Sequence, residues 1–117
     1  MLLGVSVVML GASNLPQSVA FYRDKLGLNL TSEIQNFAFF DGGGTTLALS
    51  AAHAQHSPSI IGATEIVFGV DSVMAEFEKL KAKGVKFQSE PHDINGNEWA
   101  ANFTDPDGHL LSIFGPK

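Results

Sequence analysis

The segment from Asn14 to Gly27 recurs, in changed letters but the same layout, from Asp71 to Gly84. In each copy a short polar residue, Asn14 or Asp71, stands where its side chain can cap a helix by accepting a backbone N–H bond. A helical apolar pattern follows and ends at Gly27 or Gly84, a residue type that closes helices in the left-handed conformation. Two helices of equal length, offset by about half of a 117-residue chain, predict an internal duplication.

The rest of the chain completes two similar modules. Apolar runs flank each predicted helix, and turn segments such as Gly42-Gly43-Gly44 separate the later runs. The predicted elements are strands 2–10, 28–33, 36–41 and 45–51 with helix 15–26, then strands 63–70, 85–89, 97–104 and 109–114 with helix 72–83. The sequence therefore predicts an α+β fold of two βαβββ modules, about 1–56 and about 57–117, within one domain spanning 1–117.

Composition limits the partners and the compartment. A net charge of −5 with only seven Lys plus Arg argues against a nucleic-acid surface, which needs clustered positive charge. The apolar opening MLLGVSVVML lacks a basic segment and is too short to span a bilayer, so we expect no membrane partner and a buried first strand. The absence of cysteine removes disulfides and thiolate sites and fits a reducing compartment. A cytoplasmic location is the resulting expectation.

Two motifs carry a resemblance to a known family. The helix from Asn14 to Gly27 and the turn Asp105-Pro106-Asp107-Gly108-His109 resemble the vicinal-oxygen-chelate superfamily, which includes glyoxalase I, extradiol dioxygenases, fosfomycin-modifying enzymes and bleomycin-resistance proteins. The resemblance covers nearly the whole chain, with Asn14 standing where an aspartate is usual. It implies a curved mixed sheet around a cavity and pairing of two chains in a homodimer. Because one scaffold can carry many activities, it does not by itself fix the function.

The resemblance also implies where a divalent metal would be held. The family's ligand positions correspond here to Val7, Ala48, Glu65 and Ser112. Valine and alanine have no donor atoms, and a neutral serine hydroxyl is a weak ligand beside a carboxylate or an imidazole. A single carboxylate cannot hold a transition ion tightly. The sequence therefore predicts that the usual metal site is absent and that the protein uses no cofactor.

His53 and His56 are the alternative metal candidates. Two histidines three residues apart can chelate an ion if the segment is helical. Pro58 and its small polar neighbours instead favour an exposed linker over 52–62. Surface histidines are the resulting prediction.

Glu65 is the polar candidate for a functional site. Strand alternation places Glu65, Val67 and Gly69 on one face, which the resemblance assigns to the cavity. A carboxylate there could act as a general base or bind a cationic or hydroxylated ligand. The alternative is a strand-end glutamate that lies in water.

Aromatic residues could line an apolar pocket, although most of nine phenylalanines in so small a domain are expected in the core. Those on two strands are the candidates: Phe37, Phe39 and Phe40 on one, and Trp99 and Phe103 on the other. Alternation back from the final turn points Asn102 toward the cavity and Trp99 and Phe103 away from it. The predicted ligand-contacting residues are Val7, Met9, Phe39, Ala48, Glu65, Asn102 and Ser112.

Two classes of function fit these residues. The first is a metal-free small-molecule-binding protein resembling bleomycin-resistance proteins, which the replaced ligand positions favour. The second is a glyoxalase-like lyase or isomerase that uses Glu65 as an acid or base, or that has a divergent divalent-metal site. A purely structural role is a third possibility. The residues leave open whether any reaction is catalysed.

Overall fold

The computed structural model describes residues 1–56 and 64–117, and the side chains of 54–56 lie outside that description. The chain divides into two compact units, Met1–Ser59 and Ile60–Lys117. The single domain spanning both, with a module boundary near 56, stays a prediction.

The first unit contains one four-stranded mixed sheet. Its elements are β1 (Val7–Gly11), α1 (Leu15–Ala20), a π-helical turn (Phe21–Lys25), β2 (Leu30–Ile34), β3 (Phe37–Asp41), β4 (Thr46–Ser50) and α2 (Ala51–His56). The strand order is β1-β4-β3-β2. β1 runs parallel to β4, and the other neighbours are antiparallel.

The second unit repeats this topology. Its elements are β5 (Glu65–Gly69), α3 (Val73–Ala82), β6 (His92–Asp93), β7 (Trp99–Thr104) and β8 (Leu110–Gly115). The strand order is β5-β8-β7-β6, with β5 parallel to β8. The predicted α+β fold of two βαβββ modules is confirmed. Among the described residues, no helix is long and apolar enough to cross a bilayer.

The first helix begins as its sequence predicts. The side chain of Asn14 accepts a 3.1 Å hydrogen bond from the backbone N–H of Gln17. The helix then widens, because Leu26 N–H donates to the carbonyl of Phe21, five residues back, at 3.0 Å. Gly27 closes it with a φ of 77°, in the left-handed region that glycine adopts without a side-chain clash.

The second helix begins one residue later than predicted. Ser72, and not Asp71, is its N-cap, and Ser72 Oγ accepts a 3.2 Å bond from Ala75 N–H. The same hydroxyl donates to the carbonyl of Lys117 at 2.8 Å. Serine and aspartate are both good caps, so the choice between adjacent residues was set by this contact with the distant Lys117.

The predicted strand over 2–10 is too long. β1 begins at Val7, and Met1, Leu2 and Leu3 are almost fully exposed, at 108%, 96% and 97% of their reference areas. The ladder stops there because its partner β4 starts only at Thr46, whose N–H bonds the carbonyl of Ser6. The first strand is therefore limited to the end of the apolar run, and Leu10 is its buried residue.

Two further predictions fail for local reasons. The predicted strand 85–89 forms only a bridge between Phe87 and Phe103. The strand that follows α3 is instead β6, which begins later, at His92. Pro91 lacks an N–H group and interrupts any longer ladder. The predicted linker 52–62 is helical at its start, since α2 extends to His56, and residues 57–63 lie outside the described residues.

Each unit has its core between the sheet and the helix. In the first unit Phe40 is fully buried and its ring lies 5.9 Å from that of Tyr22. In the second unit Phe103 is fully buried, and its ring lies 5.2 Å from that of Phe87, which in turn lies 4.7 Å from Phe77. Aromatic burial thus joins sheet to helix in both modules.

Candidate functional site

The register of the first sheet separates its residues into a helix-packed face and an open face. Ala48 is paired with Met9 on one side and with Phe39 on the other, so these three side chains share a face. Val7 lies two residues before Met9 on the same face and is 44% exposed. Ala48 is fully buried, whereas Met9 and Phe39 are half-buried. All four predicted contacts from the first module therefore lie on the open face of one sheet.

The open face of the second sheet carries the other three predicted residues. Asn102 is paired with Ser112 between β7 and β8, and Ser112 is paired with Val67 of β5. Glu65 lies two residues before Val67 on this face. The predicted alternation of β5 and β7 is confirmed, since Phe103 is buried in the core and Asn102 is not.

The two modules place their predicted residues at equivalent positions. Val7 and Glu65 each lie seven residues before a helix cap, Asn14 and Ser72. Ala48 of β4 pairs with Met9, two residues after Val7, and Ser112 of β8 pairs with Val67, two residues after Glu65. Ala48 therefore corresponds to Ser112. By the same register Phe39 corresponds to Asn102. The first open face is therefore apolar where the second is polar.

Glu65 and Asn102 form a direct polar pair. Asn102 Nδ2 donates a 2.9 Å hydrogen bond to Glu65 Oε2. The two residues belong to β7 and β5, so this bond spans β8, the strand between them. Glu65 is exposed and Asn102 is half-buried. The carboxylate is held in one orientation while it remains open to solvent.

The donor set does not fit the divalent metal that the fold family implies. Val7 and Ala48 have no ligating atoms, and Ser112 is only 3% exposed, with a neutral hydroxyl. Among the side chains that the structure describes, those of residues 1–53 and 64–117, no three from His, Cys, Asp or Glu come together as a possible metal centre. Glu65 is the remaining donor of the four positions, and one carboxylate is a weak site for a transition ion.

The Ser50–His53 pair was missed by sequence reasoning. Ser50 is fully buried at the end of β4, and its Oγ accepts a 3.2 Å bond from the backbone N–H of His53. The Nδ1 atom of His53 lies 2.9 Å from the same oxygen. A serine directly before a helical segment is a helix-start signal, and Ser50 before Ala51 would have predicted α2. The predicted surface position of His53 agrees with its exposure, whereas the side chain of His56 lies outside the described residues.

Phe37 and Phe39 make the first open face aromatic. Their rings are nearly parallel, 14° apart, with centroids separated by 6.2 Å. Both are half-buried, and Phe37 is the register partner of Ser50. Part of each ring is therefore available to an apolar or aromatic ligand.

The terminal turn has a structural role in this chain. Asp105 is 5% exposed, and its Oδ1 accepts 2.9 Å bonds from the backbone N–H groups of Asp107 and His109. These bonds hold the turn before β8, which brings Ser112 to its place opposite Asn102. In this chain the motif sets the geometry of the turn that precedes β8.

The family model for the Glyoxalase/Bleomycin resistance protein/Dioxygenase superfamily matches residues 4–113. The chain belongs to this superfamily. It is 32% identical to the uncharacterized protein YraH of Bacillus subtilis, over 92% of this chain and 94% of that protein. It is 31% identical to the metallothiol transferase FosB of Staphylococcus haemolyticus, over 97% of this chain and 84% of that protein.

Solved structures share the fold at lower sequence identity. The fosfomycin resistance protein FosX of Listeria monocytogenes, complexed with Mn(II) and sulfate, superposes with a TM-score of 0.81 at 23% identity, over 100% of this chain and 93% of its own. TnmS3, an antibiotic binding protein from Streptomyces, superposes with a TM-score of 0.80 at 20% identity, over 99% of this chain and 98% of its own. At these identities the similarity shows the fold alone. The superfamily expected from the sequence motifs is confirmed.

Proposed function

We propose that this protein binds a small molecule without a metal ion. The open face of the first sheet, with Phe39, and the open face of the second sheet, with the Glu65–Asn102 pair, are each a candidate surface for ligand contacts. The observation that carries the proposal is the donor set: Val7 and Ala48 offer no ligating atom where the fold family would hold an ion. The apolar and aromatic open face of the first sheet suits a ligand with an apolar body. No cofactor is part of this proposal.

The comparisons support binding of a small molecule. The similar proteins differ in whether their names or structures include a metal ion. TnmS3 is an antibiotic binding protein, so this scaffold can bind a small molecule. FosB is a metallothiol transferase, and FosX was crystallised with Mn(II), so the superfamily also includes metal-containing members. We place this chain with the binders because of its residues at the four ligand positions.

A glyoxalase-like lyase or isomerase is the second candidate. The observation that favours it is the exposed Glu65 carboxylate, which the 2.9 Å bond from Asn102 holds in a fixed orientation. A positioned carboxylate can take a proton from a bound carbon acid. Solvent deuterium entering a bound compound with the native protein, and not with Glu65→Gln, would favour this enzyme over the binder.

The proposed function is tested by a thermal-shift panel of small molecules, run with EDTA and again with Mn, Ni or Zn. A ligand that binds the native state raises the melting temperature by mass action. We expect at least one apolar or aromatic compound to raise it equally under all of these conditions. A rise that appears only when metal is present would contradict metal-free binding.

Self-association is part of the same proposal. We propose a homodimer in the cytoplasm, with the small molecule and a second copy of the chain as its partners and neither nucleic acid nor membrane among them. The support is the resemblance to a superfamily that pairs its subunits, together with the acidic composition of the chain.

A further inference from the structure

We propose that the Glu65–Asn102 pair recognises the cationic group of the ligand, an ammonium, amidinium or guanidinium attached to an apolar or aromatic body. This inference rests on the proposed function and deepens it by naming the ligand's chemistry. It concerns the open face of the second sheet alone.

The first argument is the orientation of the Asn102 amide. Its Nδ2 group donates to Glu65 Oε2, so the donor end of the amide is directed at the carboxylate. One Nδ2 hydrogen is used in this bond, which leaves the second Nδ2 hydrogen as a donor and Asn102 Oδ1 and the Glu65 carboxylate oxygens as acceptors. Because acceptors outnumber donors at this pair, a ligand that supplies hydrogen-bond donors finds more partners there than one that supplies acceptors. Charged donors form the shorter and stronger bonds with a carboxylate.

The second observation concerns the charged groups around Glu65. In the part of the chain that the structure describes, no lysine or arginine lies within ion-pair distance of Glu65. Arg23 bonds Asp24, and the ammonium of Lys117 lies over the ring of Trp99, 4.8 Å from its centroid. Trp99 points to the opposite face of its sheet from Asn102. The negative charge is left for a ligand.

His92 is the other titratable residue among the strand positions on this face. It pairs with Ala100, which lies two residues before Asn102. Its Nδ1 lies 3.2 Å from the carbonyl oxygen of Glu90, so that nitrogen donates to backbone. This contact commits Nδ1 of the imidazole to the backbone, and Glu65 is the carboxylate among the strand positions of this face. An anionic ligand such as a phosphonate or sulfate would meet like charge there.

The third argument is the apolar surface beside the charge. Val67, two residues from Glu65 on the same strand, is 53% exposed. Leu110 is the register partner of Glu65 and is half-buried. An apolar body can therefore lie next to the carboxylate while its cationic group bonds it. This arrangement suits an amphipathic cation better than a small hydrophilic one.

Three probes of nearly equal shape test the inference: benzamidine as the cation, benzamide as the neutral isostere and benzoate as the anion. Dissociation constants are measured by NMR titration at low ionic strength with the native protein. We expect benzamidine to bind about three- to tenfold more tightly than benzamide, as for a partly exposed charge-assisted bond, and benzoate to bind least. Added salt should reduce the advantage of benzamidine.

The matched variants are Glu65→Gln and Glu78→Gln. Glutamine at 65 keeps an acceptor for Asn102 and removes the charge. In this variant benzamidine and benzamide should therefore bind with about equal dissociation constants. Glu78 is an exposed carboxylate on α3, and its change should leave the preference intact while altering net charge equally. A preference that survives Glu65→Gln, or that is lost equally in Glu78→Gln, overturns the assignment.

The outcomes separate this inference from the proposed function. Equal binding of all three probes, or tighter binding of benzoate, would overturn cation recognition and leave small-molecule binding intact. If none of the three binds, cation recognition is also overturned, and the proposed function then depends on the compound panel alone. Binding of benzamidine only in the presence of metal would contradict both.

Discussion

Single residues decide where the elements of this chain begin. The caps Asn14 and Ser72 accept backbone N–H bonds of 3.1 and 3.2 Å at equivalent positions in the two modules. The motif predicted the first cap correctly and placed the second at Asp71, because two good capping residues stand side by side. The contact that distinguishes them, from Ser72 Oγ to the carbonyl of Lys117, joins residues far apart in sequence. Local patterns cannot show such a contact.

The cap assignment makes a residue-scale prediction. Ser72→Ala should lower the free energy of unfolding by about 1 kcal/mol, because the N–H of Ala75 loses its acceptor. Asp71→Ala is the matched control and should change the stability by less than half of that, since Asp71 is exposed and does not cap α3. Urea unfolding of both variants measures the difference. Equal losses, or a larger loss for Asp71→Ala, would contradict the assignment.

At the scale of elements, side-chain alternation was the most reliable guide. It placed Asn102 and Phe103 on opposite faces of β7 and grouped Glu65 with Val67, as the register confirms. Apolar runs were a poorer guide. The run at Met1–Ser6 has no partner strand, and the burial of an apolar run depends on a neighbour that the run does not specify. The predicted strand 85–89 forms only the bridge of Phe87 to Phe103.

Adjacent phenylalanines of β3 give an element-scale prediction. Phe40 is fully buried against Tyr22, so Phe40→Ala should cost about 3–5 kcal/mol of stability by removing contacts and leaving a cavity. Phe39→Ala, on the half-buried open face, should cost clearly less and should instead weaken binding of aromatic compounds. Urea unfolding and the thermal-shift panel measure the two effects. Similar destabilisation by both variants would contradict the assigned faces.

At the scale of the whole molecule, the duplication predicted the topology, and the divergence between the modules gives their open faces different residues. Both sheets have the same strand order, yet Phe39 and Asn102 occupy equivalent positions with opposite polarity. The repeat could be recognised from caps and glycines alone. The Glu65–Asn102 bond could not, because it joins β5 to β7 across β8 and its residues lie 37 positions apart in sequence. The seven predicted contacts were placed on the open faces by strand parity together with family resemblance.

Self-association is the prediction that belongs to this scale. Light scattering should give twice the chain mass of 12.5 kDa if the proposed homodimer forms. The measurement is made over a range of protein concentrations, so that weak association is also detected. A mass equal to one chain throughout the range would remove the homodimer from the proposal without affecting ligand binding.

The central claim is that the residues at the family's ligand positions cannot hold a divalent ion. Elemental analysis of protein purified without chelators tests it most directly, combined with melting curves recorded as Mn(II) is added. We expect far less than one ion per chain, since Glu65 alone is a weak ligand. We also expect an unchanged melting temperature, because an ion that does not bind the native state cannot stabilise that state. One tightly held ion per chain, with a melting temperature that rises with Mn(II) and a rise that Glu65→Gln abolishes, would contradict the claim.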